Sequence, residues 1–328
     1  MSESLKDKLS SLDIPDLMKC IEQSGYMFKN QTRSESVVKN MRSFHNKLKG
    51  VLIKNISEYC YKSRNPLSLL DISVGRGGDI AKWDNAYITN VFGFDVSQDS
   101  ISEAKSRMSN YSSKKLLKNV MFDVGDATKP DIKNKINEYM SSVNIKKFDL
   151  VSCQFALHYF FKSEDSLKSV LKLVSDSLKQ GGYFFGTTIN SKILMDYFNQ
   201  VSGDEVINKE IYRIHRFFPM KYRKKYSNKY TFTIKDSDDP SNYFQSLKDQ
   251  ESTEYLVSFE ELTKVASEVG LEPVFLNFFE QHQGNYTRSD NNVINFVDIY
   301  PLIEHSDKMT PEEKEISFLN SVFVFKKT

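Results

Sequence analysis

The chain has 328 residues, with 45 lysines and arginines against 43 aspartates and glutamates and a formal net charge of +2. That length suits one large α/β domain with insertions or two small domains, and the near balance of charge excludes a global basic field gripping long nucleic acid, so any polyanion contact is local. Cys20, Cys60 and Cys153 stand far apart with no C-x-x-C pair, which speaks against a disulfide framework and a metal site and for a reducing compartment.

The first twenty residues carry Glu3, Lys6, Asp7, Lys8, Asp13 and Asp16 without a continuous apolar stretch, and no later run is long enough to span a bilayer. Neither a signal peptide nor membrane contact is expected, and the protein reads as intracellular. Residues 1–61 read as an N-terminal helical extension. Its apolar residues Val37, Val38, Met41, Phe44, Leu48, Val51, Leu52 and Ile56 recur at three- and four-residue steps. From residue 68 apolar strands alternate with amphipathic helices, the pattern of a doubly wound, Rossmann-like, mostly parallel sheet with helices on both faces.

Strands are expected at 68–73, 90–95, 120–124, 148–153 and 182–188. Helices are expected at 79–83, 99–108, 132–139 and 163–178, with a shorter one from Ser191. Near the end, 259–268 reads as helix, 273–278 as strand and 321–325 as a last strand, the two strands closing the sheet. Two stretches break the alternation and read as insertions in the 62–328 core, near 203–250 and 281–317. The first crowds lysine, arginine and tyrosine between Tyr212 and Tyr230.

The run from Leu69 to Trp83 says most about function. An apolar strand enters the turn Ser73-Val74-Gly75-Arg76-Gly77-Gly78-Asp79 and a helix follows. Such a turn lets backbone approach a ligand closely. Twenty residues after Gly75, Asp95 ends the next strand, where a carboxylate holds a ribose diol. The spacing is neither the G-x-G-x-x-G of a dinucleotide site nor a phosphate loop. An adenosine cofactor without phosphate, S-adenosylmethionine, fits what remains; a nicotinamide or flavin site and a purely structural turn are the alternatives.

Three further blocks carry a resemblance: Ser152-Cys153-Gln154-Phe155-Ala156-Leu157-His158-Tyr159, Gly181-Gly182-Tyr183-Phe184-Phe185-Gly186-Thr187-Thr188, and Glu254-Tyr255-Leu256-Val257-Ser258-Phe259. With the glycine turn, and with Phe44 to Lys49 on the first helix, they closely resemble the messenger RNA cap guanine-N7 methyltransferases over Phe44 to Phe325. Among these the chain looks most like the methyltransferase domains of large DNA virus capping enzymes. The resemblance implies a class I methyltransferase fold with a seven-stranded sheet. It also implies transfer of a methyl group from S-adenosylmethionine to N7 of the terminal guanosine of GpppN-RNA. Guanine N7 is an unprotonated lone pair, so an in-line displacement without a general base is expected.

Residue by residue, the resemblance assigns Lys49 to the methionine carboxylate, Asp95 to the ribose and Asp126 to the adenine amino group. Gln154 and Tyr159 would wall the adenosine and methyl, with Asp71, Ser73, Gly75 and Asp79 around the turn. Glu254 would accept from the guanine edge, His158 and Tyr159 would border the base, Arg76 and Lys82 would meet the triphosphate, and His45, Asn46 and Tyr26 or Phe28 would complete the nucleoside pocket. The chain departs from the family at Ser73, usually glycine, at His45, where the family has asparagine, at Ile189, usually proline, and near Asn320, where an aromatic is usual. The lysine- and tyrosine-rich run is either an RNA track, with Lys224 and Lys225 as its contacts, or a solvated surface. Capped RNA is the expected partner, with triphosphatase and guanylyltransferase activities on the same chain or in a complex, in the cytoplasm for a viral protein and the nucleus for a cellular one. The competing readings are a different S-adenosylmethionine-dependent methyltransferase and a catalytically silent cap-binding scaffold.

Overall fold

A computed structural model describes residues 36–61, 65–113, 115–201, 205–221, 223–235, 252–274, 293–303 and 308–328. Tyr26 and Phe28 lie outside them. The first element, α1 (Lys39–Cys60), buries Met41, Phe44, Leu48, Leu52, Ile53 and Ile56 along one face, the stripe expected from the three- and four-residue spacing. Then follow β1 (Leu67–Ile72), α2 (Ile80–Asp84), β2 (Ile88–Asp95), α3 (Gln98–Ser109), β3 (Asn119–Val124), α4 (Asp131–Ser142), β4 (Phe148–Gln154), α5 (Leu157–Phe160), α6 (Glu164–Ser177), β5 (Leu178–Ile189) and α7 (Ser191–Gln200). Side chains cap three of these helices: Ser97 accepts from Ser100 N, Ser163 from Ser166 N and Asn190 from Lys192 N. Each cap contributes about 1 kcal/mol.

The central strands lie in the order β3-β2-β1-β4-β5, all parallel. All six residues of β1 are buried, as a strand covered by helices on both faces requires. The chain closes the sheet with α8 (Phe259–Ser267), β10 (Leu271–Pro273), α10 (Pro311–Ser317) and β12 (Asn320–Lys327). Strand β12 runs antiparallel to β5, with Asn320 opposite Ile189 and Lys326 opposite Tyr183, and β10 pairs with its outer edge. Between β10 and α10 a two-residue strand, β11 (Ile294–Asn295), also pairs with β12, and α9 (Phe296–Ile299) follows it. The sheet therefore has eight strands, one more than expected.

The larger departure is the first insertion. Its described part forms β6 (Val206–Asn208), β7 (Tyr212–Arg216) and β8 (Lys229–Ile234), which join β9 (Ser252–Tyr255) in a separate antiparallel sheet ordered β6-β7-β8-β9. Tyr212, Ile214 and Arg216 point inward from β7, and Tyr230, Phe232 and Ile234 from β8; all six are buried. Tyr212 and Tyr230 are fully buried, so these two tyrosines are packing residues and not part of an exposed track.

One long-range contact seats α1. Its N-cap residue, Val38, has no capping side chain. Glu313 on α10, fully buried, instead accepts from Asn40 N at 3.0 Å and Met41 N at 2.9 Å, and its other oxygen accepts from Thr310 N at 2.8 Å. The helix that carries His45 and Lys49 is thus held at its N-terminus by the element that precedes the last strand.

Candidate active site

In the parallel sheet the strand order reverses between β1 and β4, and in such sheets ligands bind in the crevice beyond the strand carboxyl ends at that point. A cavity of about 920 Å³ lies there. Strand ends supply Asp71 in β1 and Ser73 just after it, Asp95 at β2, Asp126 after β3, Gln154 at β4 and Ile189 at β5. Helix α1 adds Arg42, His45 and Lys49, and the second sheet adds Phe232, Ile234 and Glu254.

The glycine turn is tied to the neighbouring strand. Asp95, 4% exposed, accepts from Gly75 N at 3.0 Å through one oxygen and from Ser97 N at 2.9 Å through the other. Each oxygen keeps a further lone pair, so the carboxylate is fixed in place and still able to accept. Gly75 and Gly77 have φ of 55° and 71°, conformations glycine adopts without cost. Ser73 has φ 61° without that freedom, which costs roughly 1 kcal/mol. Phe155, φ 53°, is a second such residue in the lining; its ring stacks on His45 at 5.0 Å between centroids.

Asp79 makes no capping bond to α2. It pairs instead with Lys49 at 2.7 Å and Lys82 at 2.8 Å. Burial pushes its carboxyl up, but the two lysines outweigh that and hold it below the usual carboxylate range. Asp71 is held well above that range by burial and by the nearby Asp79. Asp126 is not a helix cap either. Its Oδ1 accepts from Thr128 N at 2.8 Å and Thr128 Oγ1 at 2.7 Å, closing a local turn on the cavity wall. Gln154 is oriented at both ends, donating to Ser152 Oγ at 3.2 Å and accepting from Thr187 Oγ1 at 3.1 Å.

On the wall formed by α5 and β9, Glu254, 3% exposed, accepts from Tyr230 Oη at 2.6 Å and lies 3.7 Å from His158 Nε2. Burial raises the Glu254 carboxyl to about 7 against the pull of hydrogen bonds from Tyr230 and Ser252. Burial lowers His158 to about 3, so its ring is neutral. Both ring nitrogens of His158 are buried without a hydrogen-bond partner although the residue lines the cavity. A buried donor and acceptor left unpaired cost about 1–3 kcal/mol each unless a ligand meets them. Tyr159 lies at the same wall, its ring 4.2 Å from that of His158.

The cavity therefore brings together His45, Lys49, Asp71, Ser73, Gly75, Asp79, Asp95, Asp126, Gln154, His158, Tyr159 and Glu254. Asn46, Arg76 and Lys82 are not in its lining. Asn46 is exposed and accepts from Lys82 Nζ at 3.1 Å, and Lys82 also donates to Gly78 O at 2.8 Å, so this pair joins α1 to α2. Sequence reasoning missed Arg42, one helical turn before His45, and Tyr230, which holds Glu254. Asn320, where the family has an aromatic, does line the cavity, but its amide donates to Ile316 O and Ser317 O. Among the described residues no group of three or more His, Cys, Asp or Glu is placed to hold a metal, and no helix is long and apolar enough to cross a membrane.

A five-stranded parallel core with its last strand inserted antiparallel beside β5, and a carboxylate row at the strand ends, is the class I S-adenosylmethionine-dependent methyltransferase fold. Residues 22–328 match the family model of the mRNA (guanine-N(7))-methyltransferase domain, and the chain belongs to that family. It is 31% identical over 253 residues to a protein of Schizosaccharomyces pombe named mRNA cap guanine-N(7) methyltransferase, covering 75% of this chain and 64% of that protein. A Caenorhabditis elegans protein of the same name is 39% identical over 160 residues, 47% of this chain and 40% of the relative. The chain thus spans less than two thirds of these relatives. Among solved structures, an S-adenosylmethionine-dependent methyltransferase from Clostridium acetobutylicum superposes with a TM-score of 0.49 at 16% identity, covering 94% of this chain and 99% of that one.

Proposed function

We propose that the protein transfers a methyl group from S-adenosylmethionine to N7 of the guanosine that caps GpppN-RNA. The observation that carries the reading is one cavity lined by two chemically distinct sets of side chains: Asp95 and Asp126 at the strand ends, and the buried Glu254–His158 pair on β9 and α5. When bound, S-adenosylmethionine supplies a methyl group made electrophilic by its sulfonium.

The protein's residues have to bind and align. Asp95, fixed by two backbone N–H groups, receives the ribose hydroxyls, and Asp126 receives the adenine amino group. Lys49 turns from Asp79 toward the methionine carboxylate, while Asp79 remains compensated by Lys82. On the other wall Glu254 accepts from guanine N1–H and N2–H, a charge-assisted pair that sets the base edge-on. Unpaired His158 finds a partner on the same base. Neutral His158 takes no proton, as an attack by an unprotonated lone pair requires. The guanine becomes cationic as its N7 is methylated, and a carboxylate about 4 Å away contributes on the order of 1–4 kcal/mol to that charge. Alignment and this charge leave no role for a general base.

The substrate class implies earlier steps. GpppN ends are made by removing a terminal phosphate from RNA and adding a guanylate, so triphosphatase and guanylyltransferase activities precede this one, on a longer polypeptide or on separate ones. Incubation with GpppA, RNA capped with GpppN, or GTP and methyl-labelled S-adenosylmethionine tests the reading. Nuclease release of labelled 7-methylguanosine is expected; label on a ribose, on another base or nowhere overturns it.

A further inference from the structure

The end of the β7–β8 hairpin carries cations that neither wall of the cavity uses. With α7 and the start of α8 it encloses a second hollow of about 590 Å³. Lys225 is neutralised there by Glu261 at 2.6 Å. The lining as a whole holds five cationic side chains, Lys192, Lys221, Arg223, Lys224 and Lys225, against the three carboxylates Asp196, Glu260 and Glu261, a local positive excess in a chain with almost none overall.

The outer face of the same hairpin adds a second observation. Phe217 is 49% exposed, its ring 4.0 Å from that of His215, with Lys229 Nζ 4.8 Å from its centroid. An aromatic ring kept at the surface between an imidazole and an ammonium, beside a cationic hollow, has the composition of a single-strand nucleic-acid contact: rings stack bases and cations track phosphates.

The hollow and the base pocket share a wall. Ile189 and Glu254 line the pocket, and Ser191 and Leu256, two residues further along each segment, line the hollow. Ser191 N donates to Val257 O within that wall at 3.2 Å. On both segments the hollow thus begins two residues from the pocket.

We propose that this hairpin end binds the first unpaired nucleotides behind the cap, with phosphates in the hollow and a base on Phe217. The proposal rests on the cap reading and adds to it where the RNA runs.

The test uses the full chain and two measurements. Fluorescence anisotropy follows a labelled capped RNA of about twelve nucleotides, and methyl-transfer kinetics compare that RNA with the dinucleotide GpppG. The variants are the triple Lys221→Ser/Arg223→Ser/Lys224→Ser and the single Phe217→Ala. The triple variant is expected to bind the RNA about tenfold more weakly at low salt and to flatten the dependence of log K on log salt by about 2, three contacts at ~0.7 each. Phe217→Ala is expected to weaken binding severalfold with the slope unchanged. Both keep the wild-type kcat and KM for GpppG.

Unchanged RNA affinity in the triple variant overturns the proposal and points to an acidic protein partner for the hollow. Equal impairment with GpppG and RNA also overturns it. Should the wild type methylate neither substrate, the cap reading fails, while the anisotropy of the RNA still decides this one.

Discussion

Replacing Glu254 by glutamine separates what this carboxylate does for the fold from what it does for the reaction. In the folded protein burial raises it from 4.5 to about 7. A folded-state value above the unfolded one means the group's stability contribution is fully present below pH 4.5 and is lost as the pH rises through 7. The difference is on the order of 3 kcal/mol at pH 8. Glu254→Gln, which never ionises, is therefore expected to melt above the wild type at pH 8 without ligands and level with it near the acid end. Activity should move the other way. In the proposed reaction the ionised form is the one that accepts from both guanine N–H groups, so wild-type kcat/KM for GpppG is expected to rise with pH and at pH 6 to stand at about a tenth of its plateau. The glutamine amide points N–H toward N–H and lacks the charge, and the expected loss is about a hundred- to a thousandfold, or ~3–4 kcal/mol, with the inflection near 7 gone. Labelled methyl transfer from pH 5.5 to 9 and thermal melting at the two pH extremes measure both. A glutamine variant that keeps the inflection, or that melts below the wild type at pH 8, refutes the reasoning.

Three further outcomes follow from the geometry. Asp95→Ala removes the acceptor and unties Gly75 and Ser97, so titration calorimetry should show S-adenosylhomocysteine binding weakened by about 30- to 100-fold (~2–3 kcal/mol); unchanged affinity excludes Asp95 from the ribose site. Ser73→Gly relieves a left-handed backbone at about the entropic cost of the glycine. Urea unfolding should therefore shift by less than about 1 kcal/mol, whereas Ser73→Val, β-branched at the same φ, should lose ~1–2 kcal/mol; a valine variant as stable as the wild type contradicts the strain. Glu313→Ala leaves Asn40 N–H and Met41 N–H without their acceptor, and chemical unfolding should report a loss of about 2–3 kcal/mol, with Glu313→Gln in between; equal stability of all three would mean α1 is seated by its apolar face alone.

How much of this was legible depends on whether the signal is local. Strands β1, β2 and β4 announce themselves because a strand buried on both faces is a nearly continuous apolar run, and α1, α3, α4, α6 and α7 because each opens on a serine or asparagine or carries a stripe at helical spacing; β3, buried at one of its six positions, and the four-residue α5 have weaker signals. Asp95 was legible for the same reason: a carboxylate at a strand end after a glycine turn has one geometry in a parallel sheet. The second sheet was missed although its period is in the sequence. Tyr212, Ile214 and Arg216 alternate with the less buried Arg213 and His215, while between Tyr230, Phe232 and Ile234 Thr231 is buried and Thr233 half-buried, and tyrosine and arginine among many lysines read as surface composition and hid a period of two. That sheet pairs Tyr230 with Glu254 across strands 24 residues apart, and no local rule aims a glutamate on β9 at a histidine on α5. Glu254 and His158 could be named only through the family resemblance, while their burial, the raised carboxyl and the unpaired imidazole belong to the folded chain. The same non-locality explains Asn46 and Lys82: one helical face carries His45 into the cavity and turns Asn46 out of it, toward a lysine that already serves Asp79. The strand-end side of the cavity is thus written in short stretches of sequence, and the Glu254–His158 side exists only once an antiparallel sheet has been brought against α5.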